Sequence, residues 1–309
     1  MKKVVVTGGA GFIGSSLTKE LVSRNYDVTV IDDLSTGKTD NIKELLSEGK
    51  VSFIKDSILN LSLLQKLFQS VDYVFHQAAI PSVPRSVDNP ELSHEVNITG
   101  TLNVLLSARD NKVKKVIYAS SSSVYGESQS LPKREDMLPG PLSPYAVTKL
   151  AGEYYCQIFQ HVYGLTTVCL RYFNVYGPGQ DPDSQYAAVV PLFIKSSLGG
   201  ESLAIFGDGE QTRDFTFVKD VVDANIQAAE SDATGLFNIS RGESITLNKL
   251  AQLIIELVGN KVEPIHQEPR IGDVKHSLAD ISKAKTFGYI PKYDLRTGLI
   301  ETIKWFNSG

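Results

Sequence analysis

The chain has 309 residues, 42% of them hydrophobic and 21% charged, an ordinary globular balance with room for a large α/β unit and an appended lobe. Its net charge of −4 is spread over interspersed acidic and basic residues, which argues against nucleic acid or an anionic membrane as partner. The two cysteines, Cys156 and Cys169, lack a CxxC spacing and read as small buried hydrophobes.

The first predicted strand is Lys3-Val4-Val5-Val6-Thr7. It runs into Gly8-Gly9-Ala10-Gly11-Phe12-Ile13-Gly14, and Ile13, Leu17, Leu21 and Val22 follow at helical spacing. Val28–Ile31, Val51–Ile54 and Tyr73–Phe75 continue the strand series. A helix is expected over 97–111, then a strand at Val116–Ala119, a long helix from Ala146 to Val162 and a strand at Thr167–Leu170. Short apolar runs alternating with helices predict a parallel sheet buried on both faces, and right-handed crossovers make it doubly wound. After about residue 174, Pro and Gly punctuate the chain, with helical patterns near 218–230 and 247–258. The expected division is a dinucleotide-binding domain over 1–174, with a segment near 215–240 returning to its sheet, and a smaller mixed lobe over 175–309. Glycines interrupt the N-terminal apolar run too early for a signal peptide, and no stretch approaches the roughly 18 apolar residues of a membrane span. The chain therefore reads as cytoplasmic.

Gly8, Gly11 and Gly14 follow the spacing GxxGxxG between a strand and a helix. Glycine permits the tight turn and the close approach of backbone to a pyrophosphate, and the helix N-terminus adds N–H groups and partial positive charge. Phe12 and Ile13 complete this loop as cofactor contacts. The second strand ends at Asp32, 18 residues beyond Gly14. A carboxylate there accepts from both ribose hydroxyls and repels a 2′-phosphate, which favours NAD over NADP. Asp56 and Ser57, after the third strand, are candidate adenine contacts, and Ala78 and Ala79, after the fourth, are candidate cofactor contacts.

Tyr145 and Lys149 stand four apart at a helix start, one turn apart on one face. A neighbouring cation is expected to lower the phenol pKa and make it a proton acceptor for a substrate hydroxyl. Ser120-Ser121-Ser122-Ser123 closes the Val116–Ala119 strand at the carboxyl edge, where such sheets bind ligands. The five histidines show no metal-ligand spacing and there is no thiolate partner, so no metal is expected.

TGGAGFIG, SSSSVYG and YAVTK together resemble the extended short-chain dehydrogenase/reductases over nearly the whole chain. The segments at 171–182, 213–221 and 270–284 are similar to those of nucleotide-sugar 4-epimerases, especially enzymes of UDP-N-acetylhexosamines. The resemblance implies a Rossmann fold with NAD that stays bound. Hydride leaves the sugar C4, a 4-keto sugar rotates, and hydride returns to its other face. Tyr145 would be the general base and acid at O4, Lys149 would orient the nicotinamide ribose and tune Tyr145, and Ser121, with Ser122 and Ser123 as helpers, would shuttle the proton. Phe173 would wall the nicotinamide. Asn174, Arg213 and Arg270 would hold the substrate diphosphate, Asp273 the ribose and Phe206 the uracil. Ser82 and Val189 would face the substrate. Ser277 replaces a bulky tyrosine of hexose-restricted members and leaves room for an N-acetyl group. Members that dehydrate or decarboxylate usually carry an acidic residue at the position of Ser123, and its absence argues against dehydratase chemistry here. UDP-glucuronate 4-epimerisation is the alternative, and a non-catalytic NAD-binding scaffold is disfavoured by the intact Ser121, Tyr145 and Lys149. A homodimer through helices near 97–111 and 146–163 is also implied.

Overall fold

The computed structural model describes residues 1–127, 130–183, 187–268 and 275–308. Six strands of the main sheet come from the first part of the chain: β1 (Lys3–Thr7), β2 (Asp27–Ile31), β3 (Ser52–Ile54), β4 (Tyr73–His76), β5 (Lys115–Ser121) and β6 (Thr167–Tyr172). Between them run α1 (Phe12–Ser23), α2 (Lys43–Ser47), α3 (Leu61–Leu67), α4 (Val83–Asp88), α5 (Pro90–His94), α6 (Gly100–Asp110) and α7 (Pro144–Tyr163). Later come β7 (Val175–Tyr176), α8 (Val189–Leu198), β8 (Ala204–Phe206), β9 (Thr212–Asp214) and β10 (Thr216–Phe217). The chain continues through α9 (Val218–Glu230), β11 (Gly235–Ile239), β12 (Ser244–Thr246), α10 (Leu247–Val258), β13 (Ile265–Gln267) and α11 (Leu295–Ser308).

The main sheet has seven strands in the order β11-β6-β5-β4-β1-β2-β3, and every pairing in it is parallel. Strand side chains alternate between faces, so Val4 and Val6 pack toward α1 and α9, while Val5 packs toward α3, α6 and α7. Both faces are covered, which is why β1 is an unbroken apolar run rather than an alternating one. A further core joins α8, α10 and α11 over β8 and β10. The chain thus forms a doubly wound α/β sheet with a smaller lobe, and α9 and β11 rejoin the sheet from the sequence beyond residue 217.

The helix expected over 97–111 begins earlier. Asn89 accepts from Leu92 N at 3.0 Å and Pro90 occupies the first turn, so helical structure starts at Pro90. It passes through a π-turn at Glu95–Thr99 before α6. The register shift aims Asn97 inward, where its side chain bonds to both Ile80 N and Thr148 Oγ1 at 2.8 and 3.0 Å. α7 is sharply bounded: Ser143 Oγ accepts from Ala146 N at 3.2 Å at its start, and Gly164 ends it with φ +69°. Cys156 and Cys169 are buried free thiols. Among the described residues no helix is long and apolar enough to cross a membrane.

Candidate active site

A cleft of about 570 Å³ opens along the carboxyl edges of β1, β2, β4 and β5. Its floor is the glycine loop. Gly8 has φ +69°, and a Cβ there would lie 2.7 Å from the backbone of Ala78. A Cβ on Gly14 would lie 2.1 Å from Gly8 O, so the first helical turn and the loop can close on each other only without side chains. Gly11 starts α1 with no side-chain cap, which leaves helix N–H groups for an anion beside Phe12 and Ile13, both in the cleft lining.

Asp32 stands at the end of β2, and both its oxygens are aimed by backbone. Oδ2 accepts from Ala10 N and Oδ1 from Leu34 N, each at 2.9 Å. Burial raises its pKa, while the two N–H bonds pull it back. Asp56, Ser57, Ala78 and Ala79 line the same cleft. Asp56 is itself held by Ser57 N at 2.7 Å and Asn60 Nδ2 at 3.1 Å. A cradle that any Cβ would fill, an uncapped helix and an oriented carboxylate fit a dinucleotide with free ribose hydroxyls.

The far end of the cleft joins β5 to α7. Ser121 lies near enough to Tyr145 to act on its phenol, and Ser121 Oγ accepts from Ser123 N at 3.1 Å. Ser122 is half-buried on the next turn. Ser120 is committed elsewhere, donating to Glu153 Oε1 at 2.6 Å in the core. Lys149 Nζ donates to Ala119 O at 2.9 Å and lies 5.8 Å from the Tyr145 ring centroid. Burial lowers the Lys149 pKa to about 8. The expectation that this lysine lowers the phenol pKa is corrected here: burial dominates and raises Tyr145, and nearby Ser121 opposes it.

Several cleft-forming groups carried no sequence signal. His76, at the end of β4, is buried between Thr7 Oγ1 at 2.8 Å and Thr101 Oγ1 at 2.9 Å. Burial, aided by the Lys149 charge, lowers its pKa to about 3. The unfolded imidazole therefore binds a proton that the folded one refuses. Its contribution to stability is complete above about pH 6.5 and is lost as pH falls toward 3. Urea unfolding at pH 7 and pH 4.5 should show a smaller acid loss for His76→Gln than for the parent, and equal losses would contradict this role. Gln77 and Tyr172 also line the cleft, and they close a hydrogen-bonded triangle with buried Asn225. Each of these residues reads in sequence as an unremarked polar group at a strand end or in an amphipathic helix.

The lobe brings several expected substrate residues onto one ribbon. Asn174 has φ +34°, and its Nδ2 donates to Asp214 O at 2.9 Å. Arg213 lies on β9 and donates to Thr212 O at 2.9 Å and Lys275 O at 3.3 Å. Ser277 N donates to Thr212 O at 3.1 Å, so the segment after 274 lies along the same strand. Phe206 ends β8, its carbonyl accepting from Gln211 Nε2 at 2.7 Å, and Val189 opens α8. Ser82 caps α4 and lines the cleft with φ +137°. Arg270 and Asp273 lie outside the described residues.

Phe173 requires a correction. Its ring is wholly buried against Tyr125, with Val124, Ala279 and Ile281 in the same cluster. Its backbone N–H donates to Ile239 O and its carbonyl accepts from Thr216 Oγ1. It joins this core instead of lining the cleft, because an apolar ring at the end of a sheet strand gains more by burial there.

Comparison with known proteins agrees with this geometry. The NAD dependent epimerase/dehydratase family matches residues 4–240. The UDP-N-acetylglucosamine 4-epimerase of Methanobrevibacter ruminantium M1, solved with UDP-N-acetylmuramic acid, is 45% identical with a TM-score of 0.96, covering 99% of this chain and 98% of that one. The UDP-glucuronic acid 4-epimerase of Bacillus cereus, solved with UDP-glucuronic acid and NAD, is 38% identical with a TM-score of 0.92, covering 99% of both chains. The UDP-glucose 4-epimerase of Mycolicibacterium smegmatis is 38% identical over 310 residues, covering 99% of each. Similarity of this extent, spanning the glycine cradle and the Tyr145 end of the cleft alike, establishes that the chain belongs to the NAD-dependent epimerase/dehydratase family.

Proposed function

We propose that this protein is a UDP-hexose 4-epimerase whose preferred pair is UDP-GlcNAc and UDP-GalNAc, with UDP-glucose and UDP-galactose also accepted. The observation that carries the reading is a single cleft with the glycine cradle at one end and Tyr145, with Lys149 Nζ 5.8 Å from its ring centroid, at the other. When bound in that cradle, NAD supplies a reversible hydride acceptor. Tyr145 takes the O4 proton and later returns it, with Ser121 sharing the hydrogen bond to O4. Lys149, fixed by Ala119 O, sets the charge beside the phenol. Arg213, Arg270 and Asn174 hold the diphosphate, and guanidinium forks suit that task. Asp273 and Phe206 hold the nucleoside. Firm contacts on the nucleotide and few on the sugar let a 4-keto sugar turn over and present its other face.

The half-buried Ser277 beside the Arg213 strand leaves room for the N-acetyl group during that turn. Ser277→Tyr should lower kcat/KM for UDP-GlcNAc roughly 5- to 150-fold, the range of an overpacking cost of about 1–3 kcal/mol, while UDP-glucose loses much less. Equal loss on both sugars would remove Ser277 from this role. In the same reading, residues 1–174 with the returning α9–β11 segment hold the dinucleotide and most of 175–309 holds the UDP-sugar. Val147, Tyr154, Ile158 and Val162 form an exposed apolar stripe on α7, and a homodimer would cover it.

The test is incubation of the purified protein with UDP-glucose, UDP-GlcNAc and UDP-glucuronate separately, with products resolved by NMR. Inversion at C4 of UDP-GlcNAc is the expected result. Inversion of UDP-glucuronate alone selects the second reading, which similarity to the Bacillus cereus enzyme supports. Release of CO₂, or no change in any sugar, rejects both.

A further inference from the structure

One cation at the Tyr145 end of the cleft has no task in the scheme above. Arg85 lies on α4 and lines the cleft together with Ser82 and Tyr145. Its backbone is fixed at both ends: Arg85 N donates to Ser82 Oγ at 3.3 Å, and Asn89 N donates to Arg85 O at 2.9 Å. The short helix is tied to α7, because Tyr145 N donates to Ser86 Oγ at 2.9 Å. Arg85 and Tyr145 therefore stand on one wall in a fixed relation. The cleft's other lining cation, Lys149, is engaged by Ala119 O. Among the described residues no acceptor engages the Arg85 guanidinium.

A half-buried guanidinium without a counter-ion is a binding group for an anion, since charge-assisted forked hydrogen bonds recover what partial desolvation costs. The nucleotide diphosphate has its own candidates, Asn174 and Arg213, on the lobe ribbon. The hexose must place O4 at Tyr145. The ring positions flanking C4 are C3 and C5, so the substituents that can reach the wall beside Tyr145 are those on O3 and at C6. Resting on the reading of this protein as a UDP-hexose 4-epimerase, the geometry points to Arg85 as the recognition group for a carboxylate carried on the sugar ring. The substrate class then includes acidic UDP-N-acetylhexosamines. Two chemistries supply such a carboxylate: a C6 oxidised to the uronate, or a carboxyalkyl ether on O3. Arg85 binds and does not react, so C4 inversion leaves the carboxylate unchanged.

Equilibrium titration of the NAD-loaded protein tests this with three probes: UDP-GlcNAc, UDP-N-acetylglucosaminuronate and UDP-N-acetylmuramic acid. Arg85→Met should weaken at least one acidic probe roughly ten- to hundredfold, the worth of a charge-assisted bond, and UDP-GlcNAc at least tenfold less than that. Arg85→Lys should recover part of the loss, because it keeps the charge without the fork. The acidic probe that responds identifies the ring position. Equal weakening of all three would assign Arg85 to the shared UDP diphosphate, and loss of bound NAD would assign it to the dinucleotide. Either result, or no change in any affinity, overturns the proposal. These are binding readouts and hold even if no sugar is epimerised, an outcome that would sink the functional reading alone.

Discussion

Tyr145→Phe should lower kcat for C4 inversion by about 10²–10⁴-fold, the usual worth of a positioned general base and acid. The substitution removes one oxygen and keeps the ring. The backbone bond from residue 145 to Ser86 Oγ and the start of α7 at Ser143 are untouched. UDP-sugar affinity and bound NAD should therefore stay close to those of the parent protein, which separates chemistry from binding. Ser121 keeps the bond from Ser123 N in this variant, so the end of β5 retains its shape. Activity within tenfold of the parent would show that another group moves the O4 proton.

The largest effect on stability is expected beneath that site, at the Arg171–Glu153 pair. The two side chains are 2% and 1% exposed, and the guanidinium meets the carboxylate with two bonds, Nε to Oε1 at 2.8 Å and Nη2 to Oε2 at 2.7 Å. Burial disfavours the arginine charge, but Glu153 more than offsets this and holds Arg171 protonated. The guanidinium also lies 4.6 Å from the Tyr125 ring centroid, and Tyr125 donates to Asn238 Oδ1 at 2.7 Å. Removing one member strands a buried charge. Glu153→Leu and Arg171→Met should each cost about 3–5 kcal/mol in urea unfolding. The double variant should recover most of that, because the desolvation penalty of both charges disappears together. Single variants within about 1 kcal/mol of the parent would contradict a dry, charge-paired site, in which Arg171 Nη1 alone of the guanidinium nitrogens lacks a hydrogen-bond partner.

How far these features could be read without coordinates differs from residue to residue. The unbroken apolar runs required strands covered on both faces, and their alternation with helices required parallel connections, so the doubly wound sheet was legible. The glycine loop and Asp32 were legible because close approach and ribose recognition each restrict the residue type at a fixed offset along one βαβ unit. Tyr145 and Lys149 were legible as a pair because one helical turn separates them. The π-turn that aims Asn97 inward was hidden, since its cause is a tertiary bond to Ile80 and Thr148 and not a local preference. The fate of the four serines was hidden for the same reason. Ser120 is claimed by Glu153 from a different element, while Ser121 Oγ accepts from Ser123 N.

The sequence by itself determined much that is governed by short-range periodicity and by residue types that steric limits make irreplaceable: the succession of the first six strands of the main sheet, the dinucleotide loop, and the tyrosine and lysine on one helical face. Only the tertiary structure decided which polar groups are spent on each other and which face the cleft. It withdrew Phe173 into the core, raised rather than lowered the Tyr145 pKa, and left Arg85 facing the ligand space. The physical reason is that burial and pairing are set by neighbours far apart along the chain, and desolvation acts on the assembled surroundings of a group, which no local pattern encodes.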